Sequence, residues 1–345
     1  MKKIYIRAAE QISIQQPLCQ TWMTSPIGYD APYVRAIDPD FREFLAPAET
    51  RRLSKVLKRA LVTAIAIARE TGIGQPDAIL AGTGLGCMEN TEHFLEALCR
   101  NGESMLSPTH FMQSTHNTIA SSLAIRSKSQ GYNITYAHKD LSFDLALQDA
   151  WMQFRLDRIG TALVGGYDEL TPSYFTLLKR IGYLGGEMQA PGAETAATVL
   201  LSSEQQNALC ELAGMRIVYR PTPERLKQTL ADLLAETGLT TVNLSAVMTG
   251  VNGNAKNDAV YHNAIEHLLP GVPTLRYKHL FGTNYSASAY AVYAAAHCLG
   301  QGTVPAHMHY GSVPVAEWPP QAILLFNQSD GKHYSFTVLR KLCGS

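Results

Sequence analysis

Apolar residues recur every three to four positions over 48–71, AETRRLSKVLKRALVTAIAIARET, and the run stops at Gly72, which predicts a helix with a glycine stop. The same period predicts helices over 88–102, 141–159, 223–238, 257–269 and 286–299, and a loop followed by a small-residue helix over 107–127. Between them lie short apolar runs of strand type. These are KIYIRAA near the start, DAILAGTGLG (77–86), NITYAH (133–138), TALVGGYDEL (161–170) and LSAVMTGVNG (244–253). The stretch 322–341 reads as two strands around a tight turn. Strands alternating with helices predict an α/β protein. The second part of the chain repeats the rhythm of the first, which points to an internal duplication, and no linker-like segment divides the two.

Composition narrows the reading. The chain has 345 residues, 46% hydrophobic and 17% charged, enough for one large core or two fused ones. Its formal net charge is zero, so no general attraction to nucleic acid or anionic membrane is expected. Arg7 and Glu10 interrupt the apolar start, which argues against a signal peptide. The longest apolar runs fall short of a membrane span, and a cytoplasmic protein is expected. Six scattered cysteines without a CxxC pair are expected to be free thiols packed as small apolar residues.

Two motifs attract attention and fail on spacing. GTGLG (82–86) lacks the third glycine of a dinucleotide loop, and GVNGNAKND lacks the Gly-Lys-Ser/Thr ending of a phosphate loop. Glycines after strands are read instead as turn residues with positive φ. His110 and His116 have no third ligand nearby, so no metal is expected, and no nucleophile elbow is present.

Five segments, in order, resemble the β-ketoacyl synthases of the thiolase fold. They are ILAGTGLGCMENTEHF, SPTHFMQSTHNTIASSLAI with GYNITYAHKD, ALVGGYDEL, AVMTGVNGNAKNDAVYHNAI, and TLRYKHLFGTNYSASAYAVYAAAHCLGQGTVP. The resemblance implies two similar halves, 1–205 and 206–345, each with a mixed sheet, in α-β-α-β-α layers. The chain is shorter than typical members around 183–195. In the family a cysteine at a helix start carries the acyl chain, and two histidines support decarboxylation and stabilise the enolate. Carried over by position, the cysteine falls on Asp140 and the histidines on Thr249 and Thr283; the supporting lysine, Lys278, is kept.

A carboxylate is a poor resting place for an acyl group, and threonine cannot shuttle a proton near neutral pH. Asp140 reads better as an N-cap of the helix that follows. The resemblance therefore implies a noncatalytic subunit similar to the chain-length factors of polyketide and aryl-polyene pigment pathways. It would pair with an active β-ketoacyl synthase, or with itself, and meet an acyl carrier protein; no cofactor is implied. Phe111, Met112, His116, Asn117 and Ala120 are expected at the acyl tunnel and dimer interface. Two alternatives stay open: a rewired synthase or acyltransferase using Asp140, His138 or Cys87, and a homodimer that binds an acyl chain or its carrier.

Overall fold

The structure is a computed structural model that describes residues 2–342 except 52, 105, 187–188 and 315–318. Ten strands carry the fold: β1 (Tyr5–Ile12), β2 (Ala78–Gly86), β3 (Tyr132–Tyr136), β4 (Thr161–Asp168), β5 (Thr195–Ser202), β6 (Cys210–Tyr219), β7 (Ala246–Thr249), β8 (Thr274–Arg276), β9 (Ala322–Ser329) and β10 (His333–Arg340). Nine helices of seven residues or more accompany them among the described residues: α1 (Lys55–Thr71), α2 (Met88–Asn101), α3 (Pro108–Ser114), α4 (Thr118–Ser127), α5 (Ser142–Arg155), α6 (Pro172–Arg180), α7 (Pro223–Glu236), α8 (Ala255–Leu268) and α9 (Ser288–Gln301).

Strand order repeats. The first five strands lie in the order β3-β2-β4-β5-β1 and the second five in the order β8-β7-β9-β10-β6. Each set thus runs third, second, fourth, fifth, first. In each set the fifth strand is antiparallel to both neighbours and the second pairs in parallel with the third and fourth. The two sheets join edge to edge through a short rung, Tyr5 opposite Glu211 and Ile6 opposite Cys210. A short strand, His309–Tyr310, extends the second sheet beyond β8.

Helices α5 and α9 lie between the two sheets. α9 packs on β1 and β5 of the first sheet and on β9 and β10 of the second, and it touches α5. Every residue from Ser288 to Leu299 is buried, as expected of a helix with no solvent face. Its alanines let both sheets approach. One core therefore holds Phe143, Leu147 and Phe154 of α5, Tyr290 and Tyr293 of α9, and strand residues of both sheets. The outer faces are covered separately. Helix α1 closes the first sheet over Ile12, Leu57 and Ile67; α7 closes the second over Leu230, Phe336 and Val338.

Several boundaries differ from the sequence reading. The first long helix begins at Lys55, not 48, with the Ser54 side chain accepting from the Leu57 amide. Strands β5 and β6 were not anticipated. All eight residues of β5 are buried, so no alternation marks it as a strand. GTGLG also has a different reason from the one expected. Gly86 has φ +63°, but Gly82 and Gly84 serve close packing. A Cβ on Gly82 would stand 2.4 Å from the backbone of Phe143, and one on Gly84 2.4 Å from Cβ of Tyr285. Glycine there lets the start of α5 and the loop before α9 touch the end of β2.

Among the described cysteines none is in a disulfide. Cys87, Cys210 and Cys298 are buried, Cys19 is half-buried and Cys99 is exposed, so apolar packing holds for three; Cys343 lies outside the described residues. No helix is long and apolar enough to cross a membrane among the described residues.

Candidate functional site

The loops after β3, β7 and β8 and the β9–β10 hairpin meet at one end of the molecule, around a cavity of about 240 Å³. Asp140 and Lys278 line it, together with Tyr183, Tyr285, Asn252 and Gln328. Lys139 and Asp330 form an ion pair at its mouth, 3.6 Å apart.

Asp140 does not cap α5. It lies in a single 3-10 turn, Lys139–Leu141, whose first residue has φ +45°. Ser142 holds that turn, accepting from the His138 amide at 2.8 Å and donating to the Lys139 carbonyl at 2.7 Å. The Asp140 carboxylate points away from the helix. It accepts from the phenol of Tyr183 and from Ser329 Oγ at 3.0 Å. Burial pushes this carboxyl above its ordinary value, against the opposing charge of Lys278 and the two hydroxyl donors.

Behind it lies a second carboxylate, Asp144, in the first turn of α5. It accepts from Ser288 Oγ, the first residue of α9, at 2.7 Å and from Asn327 Nδ2 at 2.9 Å. Asn327 also donates to the Asp140 carbonyl at 2.8 Å and accepts from Tyr261 at 3.1 Å. The starts of the two central helices are thus joined by a buried polar chain. The facing loop is held by Asp258, which accepts from the amides of Asn252 and Gly253 at 2.9 and 2.8 Å. Asn254 donates to the Gly182 carbonyl at 3.0 Å, which ties the Asn-rich loop to the Tyr183 loop.

Lys278 is 5% exposed. Burial lowers the pKa of its ammonium, opposed by the charges of Asp140, Asp258 and Asp144. Thr249 and Thr283 do not line the cavity. Thr249 is fully buried and donates to the Leu275 carbonyl at 3.3 Å. Thr283 is held by its backbone against Pro191 and Ala193, and its hydroxyl is buried without a partner.

The two substitutes sit elsewhere. His138 Nε2 contacts Nδ1 of His333 at 3.0 Å, and the His333 ring lies tilted against Tyr219; among the described residues no hydrogen bond joins His138 to Asp140 or Lys278. Cys87 is buried at the start of α2, and burial pushes its thiol up to about 12. The helix start does not offset that burial.

The interface positions divide. Phe111 and Met112 are 56% and 62% exposed on α3, and His116 and Asn117 are exposed before α4. Ala120, at 0%, faces its own core beside Ile119 and Leu123. Leu95, Ile125 and Tyr132 are further exposed apolar side chains on α2, α4 and β3. β3 is the free edge of the first sheet. His110 bonds to Asn90 at 2.8 Å.

Sequence reading missed Tyr183, Ser329, Asn327 and Asp144. The Asn-rich loop after β7 carried a signal, since three asparagines and an aspartate within seven residues indicate a cross-braced turn. Tyr183 had none, because its partner is 43 residues away.

Residues 20–243 match the family model described as "Beta-ketoacyl synthase, N-terminal domain". No curated protein matches the chain in sequence. Among solved structures, the ishigamide ketosynthase/chain length factor superposes with a TM-score of 0.84 at 14% identity, covering 99% of this chain and 100% of that one. A beta-ketoacyl synthase from Burkholderia phymatum gives 0.80 at 13%, covering 99% and 100%. A ketosynthase in complex with its chain length factor from Xenorhabdus doucetiae gives 0.79 at 14%, covering 99% and 98%.

Proposed function

The chain belongs to the beta-ketoacyl synthase family, and from that premise we propose that it is a noncatalytic, chain-length-factor-like partner of a separate, active β-ketoacyl synthase. Its fold is the thiolase-like α/β fold with a mixed central sheet. The reading rests first on Asp140. At the position where the family carries its nucleophile stands a carboxylate with both oxygens engaged, by Tyr183 and Ser329. Thr249 and Thr283, at the histidine positions, are buried away from the cavity. Condensation needs a thiolate, a base and an oxyanion donor together; Asp140 supplies no thiolate, and Thr249 and Thr283 bring neither base nor donor to the cavity.

The free edge of β3 and the exposed apolar side chains of Phe111, Met112, Ile125 and Tyr132 support the partner half of the proposal. An unpaired strand edge with apolar neighbours is a surface that another chain covers. The substrate would be an acyl or polyketide chain carried on an acyl carrier protein and elongated by the partner.

The test is reconstitution. The chain alone, an active synthase from the same gene neighbourhood alone, and the two together are each supplied with acyl- and malonyl-carrier proteins. We expect no acyl adduct and no condensation from the chain alone, and a change in product length when both are present. A stoichiometric acyl adduct on the isolated chain, with ketoacyl product, overturns the proposal in favour of a rewired enzyme.

A further inference from the structure

Lys278 is nearly as buried as a core residue, yet among the described residues no hydrogen-bond or ion-pair partner meets its ammonium nitrogen. Its stem lies over Gly250, whose added Cβ would stand 3.3 Å from Lys278 Cε. The nitrogen therefore has the cavity as its outlet. Asp140 lines the same cavity, and the tilted rings of Tyr183 and Tyr285, 4.8 Å between centres, form part of its wall. Ile181 and Val260 add apolar surface. A small anion fits this site poorly, because Asp140 also faces the space. A neutral, polarised ligand meets no such conflict.

We propose that Lys278 captures the carbonyl carbon of a small ketone or aldehyde, β-keto acyl units among them, as a reversible imine, with Asp140 as the proton donor and acceptor. The nitrogen lone pair attacks the carbonyl carbon, and the C=O π electrons move to oxygen, which takes the proton of the Asp140 carboxyl. The cationic nitrogen then gives one proton to the Asp140 carboxylate, which passes it to the carbinolamine hydroxyl; the C–O bond breaks, water leaves, and the nitrogen lone pair closes the C=N bond of a protonated imine beside an ionised Asp140. One carbonyl and one amine thus give one imine and one water, with no change of oxidation state.

Burial moves the two groups in opposite directions, the amine towards its neutral, nucleophilic form and the carboxyl towards its protonated, donating form. Once the imine forms, its positive charge lies in the field of Asp140, Asp258 and Asp144. A cavity of about 240 Å³ suits a short carbonyl compound rather than a long acyl chain. This activity needs no condensing chemistry and stands apart from the partner role.

The test uses the full chain without any synthase, so its outcome does not depend on that role. The protein is incubated with ethyl acetoacetate, a neutral β-keto ester, and sodium cyanoborohydride near neutral pH, then analysed by intact mass and peptide mapping. We expect one reduced adduct per chain on the peptide carrying Lys278, absent in Lys278→Arg and retained in Lys227→Arg, a change on the exposed face of α7. Asp140→Asn should form it roughly a hundredfold more slowly. No adduct, adducts spread over exposed lysines with Lys278 unlabelled, or equal labelling of Lys278→Arg each overturns the proposal. Should Lys278→Arg fail to fold, the wild-type peptide map decides alone.

Discussion

Tyr183 donates its phenolic hydrogen to the carboxylate of Asp140, closing one side of the cavity. That bond supports the ionised carboxylate, as do Ser329 and the charge of Lys278, but burial outweighs them and the Asp140 pKa stays raised. A carboxyl whose folded pKa is raised contributes stability that is full below its unfolded pKa, about 3.9, and is lost as pH rises through the folded value. Above about pH 4 the buried Asp140 carboxyl is therefore a net cost to stability. Asp140→Asn keeps an oxygen to accept from Tyr183 and removes the charge. Its melting temperature should exceed that of the wild type near pH 8. The gain should shrink as pH falls and vanish below about pH 4. Thermal unfolding across that range checks it, and a variant less stable near pH 8 contradicts it.

Thiol reactivity separates the cysteines. Burial pushes Cys87 and Cys298 up to about 12 and Cys210 higher still. The thiolate is the reactive form. In the native protein near pH 8, an iodoacetamide pulse should label Cys99 and leave these three unlabelled until denaturant is added. Rapid native labelling of Cys87 would revive its standing as a nucleophile.

Phe111 and Ala120 should respond in opposite ways. Phe111 and Met112 are exposed in the single chain, so alanine at either should shift its stability by no more than about 0.5 kcal/mol. The same changes should alter association with the synthase or lengthen its products. Ala120 fills its own core. Ala120→Leu should cost the isolated chain about 1–3 kcal/mol through overpacking, read by urea unfolding without any partner. Unchanged association and product length for Phe111→Ala and Met112→Ala would remove α3 from the interface.

Gly82→Ala tests the close approach of α5 to β2. The new Cβ would meet the backbone of Phe143 and Ser142 at 2.4–2.5 Å, and backbone cannot rotate aside. A loss of about 3 kcal/mol or more is expected, with α5 and hence Asp140 displaced. Gly74→Ala, where nothing lies within 4 Å, should be close to neutral. Denaturation midpoints of the two variants decide the matter.

How much of this was legible in sequence depends on what each element faces. Helices with a wet side, such as α1 and α7, announce themselves by period. The buried strand β5 has no polar face to give the alternation that marks a strand. Asp140, Thr249 and Thr283 were found by position in a family pattern, and the structure brings Asp140 to the cavity beside Lys278 while withdrawing the threonines. The hydrogen bonds around Asp140 could not be read, because Tyr183, Ser329 and Asn327 lie far from it in sequence and meet it only through folding. Ala120 was placed at an interface for its small size, yet small residues serve a tight internal contact equally well.

The helices between the sheets bear on how the molecule comes apart. α9 belongs by sequence to the second half but rests on β1 and β5 of the first, and α5 of the first half rests on β6 of the second. Neither half can melt without stripping cover from the other, although only two residue pairs stitch their sheets together. The two topological repeats are therefore expected to unfold together. An opening that frees one half costs close to the full unfolding energy, and a truncated half would be left with a bare apolar face, prone to stick to its own kind.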